Sequence, residues 1–134
     1  MRVGITGQDG FIGTNLFNSL NTAKNIFETI PFEDAFFLDH NSLETWVTKC
    51  DVIVHLAAMS RHADSKVLYN TNINLANKII AAIDKTNSKP HIIYTSSIQE
   101  ECDTEYGKSK KESRLMFKNW SEKKKCSLYR IYIT

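Results

Sequence analysis

The sequence predicts an α/β fold, a doubly wound parallel sheet with helices on both faces. Three observations carry this. Short apolar runs of strand character alternate with longer segments whose apolar residues recur at helical spacing. Most of these runs are separated by about a dozen residues or more, the length that a parallel crossover needs. Two of them, "DVIVHLAA" (51–58) and "HIIYTSS" (91–97), have the unbroken character of strands buried on both faces.

Each element follows from its own residues. "RVGIT" (2–6) is a short apolar strand that runs into a glycine loop. "FIGTNLFNSL" (11–20) sets Ile12, Leu16, Phe17 and Leu20 on one helical face. "NIFETI" (25–30), ended by Pro31, and "AFFLD" (35–39) read as the second and third strands. The link between them is short, so a small crossover or irregular connection is expected there. "SLETWVTK" (42–49) opens on Ser42, a residue that caps helices, and "DVIVHLAA" is the fourth strand. A longer helix over 65–86 carries Ile73, Ala76, Ile79, Ile80 and Ile83 on one stripe. Pro90 introduces the fifth strand, 91–97. The segment 104–124 is helical, with Met116, Phe117 and Trp120 on its apolar side, and "SLYRIYIT" (127–134) is a sixth strand. No repeat or low-complexity linker divides the chain, and 134 residues suit one domain, 1–134, around one core.

Composition narrows the function classes. With 42% hydrophobic and 24% charged residues the chain is ordinary for a globular domain. A net charge of +2, with both signs interspersed, gives nucleic-acid binding no support. The basic run from "KSKK" to "EKKKC" (108–126) also contains Glu112 and Glu122 among apolar residues, and reads as a solvated helix face. Three Cys without a C-x-x-C pair fit reduced thiols in a cytoplasm, and the four His are scattered, so no metal site is expected. His55, inside an apolar strand, reads as a packed residue. A strand starting almost at Met1 leaves no room for a signal peptide, and no apolar run approaches the roughly 20 residues of a membrane span. A cytoplasmic protein without membrane contact is the expectation.

Two motifs carry chemistry. "TGQDGFIG" places Gly7, Gly10 and Gly13 between the first strand and the first helix. In a dinucleotide-binding turn the first glycine makes the bend, the second admits a pyrophosphate and the third allows close helix packing. The helix N-terminus then offers free N–H groups and partial positive charge to phosphates. The second motif is "YGKSK" (106–110), a Tyr with a Lys at i+4. With five Tyr and thirteen Lys in 134 residues, chance supplies about half of one such pair, so the motif needs context. Context exists: Tyr106 is the only Tyr followed by Lys four places on, and a strand tipped by Ser97 precedes it.

The G-x-x-G-x-x-G spacing and its "GFIG" ending resemble the extended short-chain dehydrogenase/reductase family, the NAD-dependent epimerase/dehydratases, which act mostly on nucleotide sugars. Four further stretches match in order. "FFLDH" resembles the family's third strand, whose Asp reaches the adenine; this maps to Asp39, with His40 beside it. "VIVHLAA" resembles the fourth strand, where Leu56, Ala57 and Ala58 bring close backbone to the cofactor. "YNTNINLANKII" resembles the helix carrying an Asn that supports the active site, here Asn72. "IIYTSSIQ" and "YGKSK" match the catalytic Ser strand and the Tyr-x-x-x-Lys helix. The combination looks most like a subgroup of capsular-polysaccharide UDP-sugar 4-reductases. The resemblance implies a Rossmann-like sheet of order 3-2-1-4-5-6 and a cofactor cradled by Gly7, Gly10, Phe11, Ile12 and Gly13. Ser60 and Arg61 fall where the family meets its sugar nucleotide. It also implies pairing into a homodimer through the helices at 65–86 and 104–124.

The chemistry these residues suit is hydride transfer to a sugar ketone, with Tyr106 as proton donor beside the carbonyl oxygen. A phenol has a pKa near 10, and the Lys110 charge at i+4 is expected to favour the phenolate. In the family the same lysine holds the nicotinamide ribose. Ser97 would hydrogen-bond the substrate oxygen. Cofactor choice stays open between NAD and NADP: Glu33 and Asp34 after the second strand favour NAD by charge, whereas the reductases resembled use NADPH. A dehydratase usually carries an Asp-Glu pair after the catalytic Ser; "IQEECD" fits such a pair poorly, which tilts the reading toward reduction. The family continues past a strand like "LYRIYIT" into a substrate-binding lobe, and the subgroup into a zinc-containing cupin half. The expectation is therefore a fold truncated after the sixth strand. Its function is either nucleotide-sugar reduction or epimerisation, with a partner segment completing the lobe, or dinucleotide binding without turnover.

Overall fold

In a computed structural model, which describes residues 1–133, five parallel strands form one sheet. The chain runs β1 (Arg2–Thr6), α1 (Phe11–Thr22), β2 (Glu28–Ile30), a 3-10 turn at Asp34–Leu38 and α2 (His40–Lys49). It continues through β3 (Val52–His55), α3 (Ser65–Thr86), β4 (His91–Ser97), a second 3-10 turn at Ile98–Glu101, α4 (Glu105–Lys124) and β5 (Leu128–Ile133). The strand order is β2-β1-β3-β4-β5. Thr134, where the expected last strand ended, lies outside the described residues.

Alternation along the central strands assigns the two faces. Ile53, Ile92 and Tyr94 point into the larger core, where α2 contributes Leu43, Trp46 and Val47, α3 contributes Ala76, Ile79 and Ile83, and α4 contributes Phe117 and Trp120. Val3, Ile5, Val52 and Val54 point the other way, against Leu16, Phe17 and Leu20 of α1. The sheet is doubly wound, with three helices on one face and one on the other. On the α1 side, Tyr129 and Ile131 of β5 pair in register with Ile93 and Thr95 and stay exposed, at 62% and 51%. Among the described residues no helix is long and apolar enough to cross a membrane.

The expected third strand does not form, so the sheet has five strands where six were expected. Residues 34–38 make a 3-10 turn instead. Only 31–33 separate the end of β2 from this segment, far short of a parallel crossover. Its aromatic residues pack locally: Phe32 meets Phe36, Phe37 and Trp46 edge-on, with ring centroids 5.4, 5.0 and 4.7 Å apart. Helix α2 also starts earlier than Ser42. Asp39 is its N-cap, accepting from the N–H groups of Asn41 (3.2 Å) and Ser42 (3.3 Å) and from the Ser42 hydroxyl (2.5 Å). The fourth predicted strand is shorter than 51–58: β3 ends at His55, which frees Leu56–Ala58 to turn over the sheet edge.

Candidate active site

Parallel register brings the C-terminal ends of β1, β3 and β4 to one edge, since Thr6 pairs with His55 and His55 with Tyr94. The chain leaves β1 toward β2 on one side, while β3 lies on the other. Such a switch point opens a crevice above the strand ends.

The glycine loop forms one wall of that crevice. Gly7 takes φ +67, a left-handed conformation, and a Cβ there would sit 2.9 Å from the Ala57 backbone. At Gly13 a Cβ would lie 2.3 Å from the Gly7 carbonyl oxygen, so α1 rests directly on the turn. Helix α1 begins after an extended Gly10 with no side chain capping it, which leaves its first-turn N–H groups and partial positive charge facing the crevice. A side-chain-free cradle at an uncapped helix start fits a pyrophosphate.

Two clefts meet at this turn. The first, about 390 Å³, is lined by Gly7, Gly10, Phe11, Ile12 and Gly13, by Leu56, Ala58 and Ser60, by Thr95, Ser96, Ser97 and Gln99, and by Tyr106 and Lys110. The second, about 720 Å³, shares Gly7, Gly10, Leu56 and Ala58 and adds Ala57, Asp34 and Leu38. Both volumes fall in the range of ligand sites. Three expected site residues line neither cleft: Asp39, whose carboxylate caps α2, His40 at the start of that helix, and Arg61, exposed in the loop after β3. Thr95, Ser96 and Gln99 line the first cleft as well; their place at, and just past, the C-terminal end of β4 beside Ser97 is the signal that could have found them.

The candidate catalytic side chains are held from both sides. Ser97 is buried at the tip of β4, its Oγ accepting the Gln99 N–H at 3.2 Å. Helix α4 starts after Thr104, whose Oγ1 accepts the Gly107 N–H at 3.0 Å, and this sets Tyr106 and Lys110 one turn apart facing the cleft. Asn72 ties the walls together. Its amide donates to the Met59 carbonyl (3.0 Å) and to Ser109 Oγ (2.9 Å), and its Oδ1 accepts the Met59 N–H (2.7 Å). His55 is a packed residue, buried with its Nδ1 2.9 Å from Thr6 Oγ1, and burial holds its pKa down to about 3.

The electrostatics correct one expectation. Burial raises the pKa of Tyr106, and Lys110 supplies no counterweight. The reason is where the ammonium lies: Lys110 Nζ sits over the Tyr94 ring, 4.7 Å from its centroid. Burial pushes Lys110 down to about 8, opposed by the negative charge of Glu100. At neutral pH the site therefore holds a protonated phenol beside a lysine close to its own titration.

Comparison with known proteins identifies relatives of the whole chain. The chain is 31% identical over 129 residues to a UDP-2-acetamido-2,6-beta-L-arabino-hexul-4-ose reductase of Pseudomonas aeruginosa, covering 96% of this chain and 34% of that protein. It superposes on the capsular polysaccharide assembling protein CapF from Staphylococcus aureus with a TM-score of 0.74 and 26% identity, over 97% of this chain and 33% of that one. RMD from Pseudomonas aeruginosa, solved in complex with NADPH, shares the fold with a TM-score of 0.83 at 18% identity, over 96% of this chain and 51% of that one. The chain thus spans about a third of the length of the curated relative it matches. The family model for NAD dependent epimerases and dehydratases runs from residue 3 to residue 131, leaving almost nothing outside it, and the chain belongs to that family.

Proposed function

We propose that these residues form the cofactor-binding and proton-transfer half of an NAD(P)-dependent nucleotide-sugar oxidoreductase, of the 4-keto-sugar reductase or epimerase type. The observation that carries this reading is that one cleft is walled by the glycine turn on one side and by Ser97, Tyr106 and Lys110 on the other. When bound, the nicotinamide cofactor supplies or accepts the hydride. The Gly7–Gly13 turn and the α1 N-terminus would hold its pyrophosphate, and the backbone at Leu56–Ala58 would lie along its length. Ser97 Oγ would donate to the substrate oxygen, and Tyr106, kept protonated by its burial, would pass its phenolic proton to that oxygen as negative charge develops there. Lys110 would hold the cofactor ribose and return positive charge to the site. Ser60 and Arg61 would meet the nucleotide sugar, and a second copy or a further segment would complete the sugar-binding wall.

A second reading, dinucleotide binding without turnover, is favoured by the Lys110 ammonium lying over the Tyr94 ring, while burial raises the pKa of Tyr106. Oxidation of NADPH or NADH in the presence of a UDP-4-keto-6-deoxy sugar, compared with Tyr106→Phe, separates the two. Turnover in the wild type, lost by at least about a hundredfold in the variant with cofactor affinity retained, supports the enzyme. Cofactor binding with both proteins equally inert supports the binding module.

A further inference from the structure

The sheet ends differently at its two edges. At one end β2 is three residues long, is followed by Pro31, and has its Ile30 carbonyl already accepting the Trp46 indole N–H at 3.4 Å. At the other end β5 runs for six residues and, among the described residues, pairs only with β4. The Ile92 N–H donates to the Ser127 carbonyl at 3.1 Å, and the alternation of a parallel ladder carries on from there. The N–H and C=O groups of Leu128, Arg130 and Tyr132 therefore point away from β4. Natural edges are blunted by Pro, by inward-pointing charges, by bulges or by shortness. The β5 sequence "LYRIYI" has no Pro and no acid, and Arg130 is its one charge. Tyr129, Ile131 and Tyr132 stand exposed on its two faces.

We propose that this edge is an interaction surface for a second copy of the chain, the two β5 strands pairing antiparallel about a two-fold axis at Ile131 and joining the two sheets. Charge and hydrogen bonding set the register. An axis at Arg130 would put two guanidinium groups opposite each other, which is destabilising, and axes nearer either end of β5 pair fewer residues. An axis at Ile131 sets Arg130 opposite the partner's Tyr132. These two residues exchange main-chain hydrogen bonds, because theirs are groups that point outward. Within one chain the Arg130 guanidinium already lies over the Tyr132 ring, 4.5 Å from its centroid, and the pairing brings it a second ring of the same kind. On the α1 side Ile131 meets its own copy, in the closer-spaced type of antiparallel pair. A strand apolar on both faces suits a partner of the same character, which β5 itself supplies; a charged strand would bury its charge against Tyr129 and Ile131 without a counter-ion. The association closes at two copies, since both free ends of the joined sheet are then β2 edges. Because Ile133 pairs with Ser97, the second copy reaches the rim of the candidate active site.

Sedimentation equilibrium over a concentration series measures the pairing in wild type and in Ile131→Lys, and no turnover enters the test. The substitution sets like charges opposite each other across the axis, at a side chain that is exposed in the single chain. The expected result is a wild type that associates to two chains and a variant whose association is weaker by at least about tenfold, with its thermal unfolding unchanged. A wild type that stays single up to about 1 mM, or that grows beyond two copies, overturns the proposal. So does equal pairing of wild type and variant, which would put the contact on another surface such as the helices at 65–86 and 104–124. If Ile131→Lys fails to fold, Ile131→Cys decides, in a background of Cys102→Ser and Cys126→Ser that removes the two cysteines outside the core. Mild oxidation should link two chains through the introduced thiols, since the closer-spaced pair brings them within disulfide reach, and Arg130→Cys in the same background should stay unlinked. No crosslink at 131, or equal crosslinking at both positions, overturns the proposal.

Discussion

Single residues here are tuned by burial more than by charge pairing. Tyr106 stays protonated and Lys110 is driven toward neutrality because each sits in the wall of a cleft instead of in open water. His55 shows the same effect with a consequence for stability. Its pKa falls from 6.5 to about 3 on folding, so the unfolded chain binds a proton that the native state refuses. The stability this contributes is complete above pH 6.5 and is lost as pH falls toward the folded value, by up to about 1.4 kcal/mol per pH unit. Urea unfolding between pH 7.5 and 5 should show this slope in the wild type and a flatter one in His55→Asn. Equal slopes would mean that His55 is not neutral in the fold.

At the level of elements, short connections decided what local pattern could not. The run "AFFLD" has the apolar density of a strand, yet a link of three residues denies it a parallel partner, and its phenylalanines turn inward as a 3-10 segment. The same change moves Asp39 from a strand end to the cap of α2. Asp39→Ala should cost about 1 kcal/mol in urea unfolding while Asp39→Asn costs far less, since both Asp and Asn cap well. A variant as stable as wild type would show the cap to be idle. Other elements were readable because their punctuation is strong. Pro90 fixes the start of β4, and the apolar stripe from Ile73 to Ile83 fixes α3; both elements have the bounds the pattern predicts. The glycine turn and the Tyr-x-x-x-Lys helix were equally legible, since each motif sits at a strand end or a helix start. The placement of the Lys110 ammonium over Tyr94 was not, because residues 16 apart in sequence meet only once β4 and α4 are packed. Glu100 read only as one half of an ill-fitting acidic pair, and nothing local revealed its ion pair with Arg114.

Across the whole molecule, the sheet divides the work between its faces. Three helices bury the larger core and carry Asn72, Tyr106 and Lys110, while α1 covers the other face and supplies the cradle. The β4–β5 part of that second face keeps Tyr129 and Ile131 in solvent. Where the glycine turn meets the loop after β2, Asp34 lines the cleft and, among the described residues, no basic residue does. A cofactor carrying a 2′-phosphate would meet negative charge there. Asp34→Arg should raise the affinity for NADPH relative to NADH by about tenfold or more, as expected for a charge-assisted hydrogen bond gained in place of a repulsion. Calorimetry with both cofactors measures the ratio, and an unchanged ratio would place the adenosine ribose elsewhere.

The decisive measurement is an amide NMR titration of this chain with NADH and NADPH. Saturable shifts should appear together at Gly7–Gly13, at Leu56–Ala58 and at Ser97, Tyr106 and Lys110, with one dissociation constant for all. Shifts confined to the glycine turn, with the β4 tip and α4 silent, would contradict the placement of the reactive end of a dinucleotide between Ser97 and Tyr106.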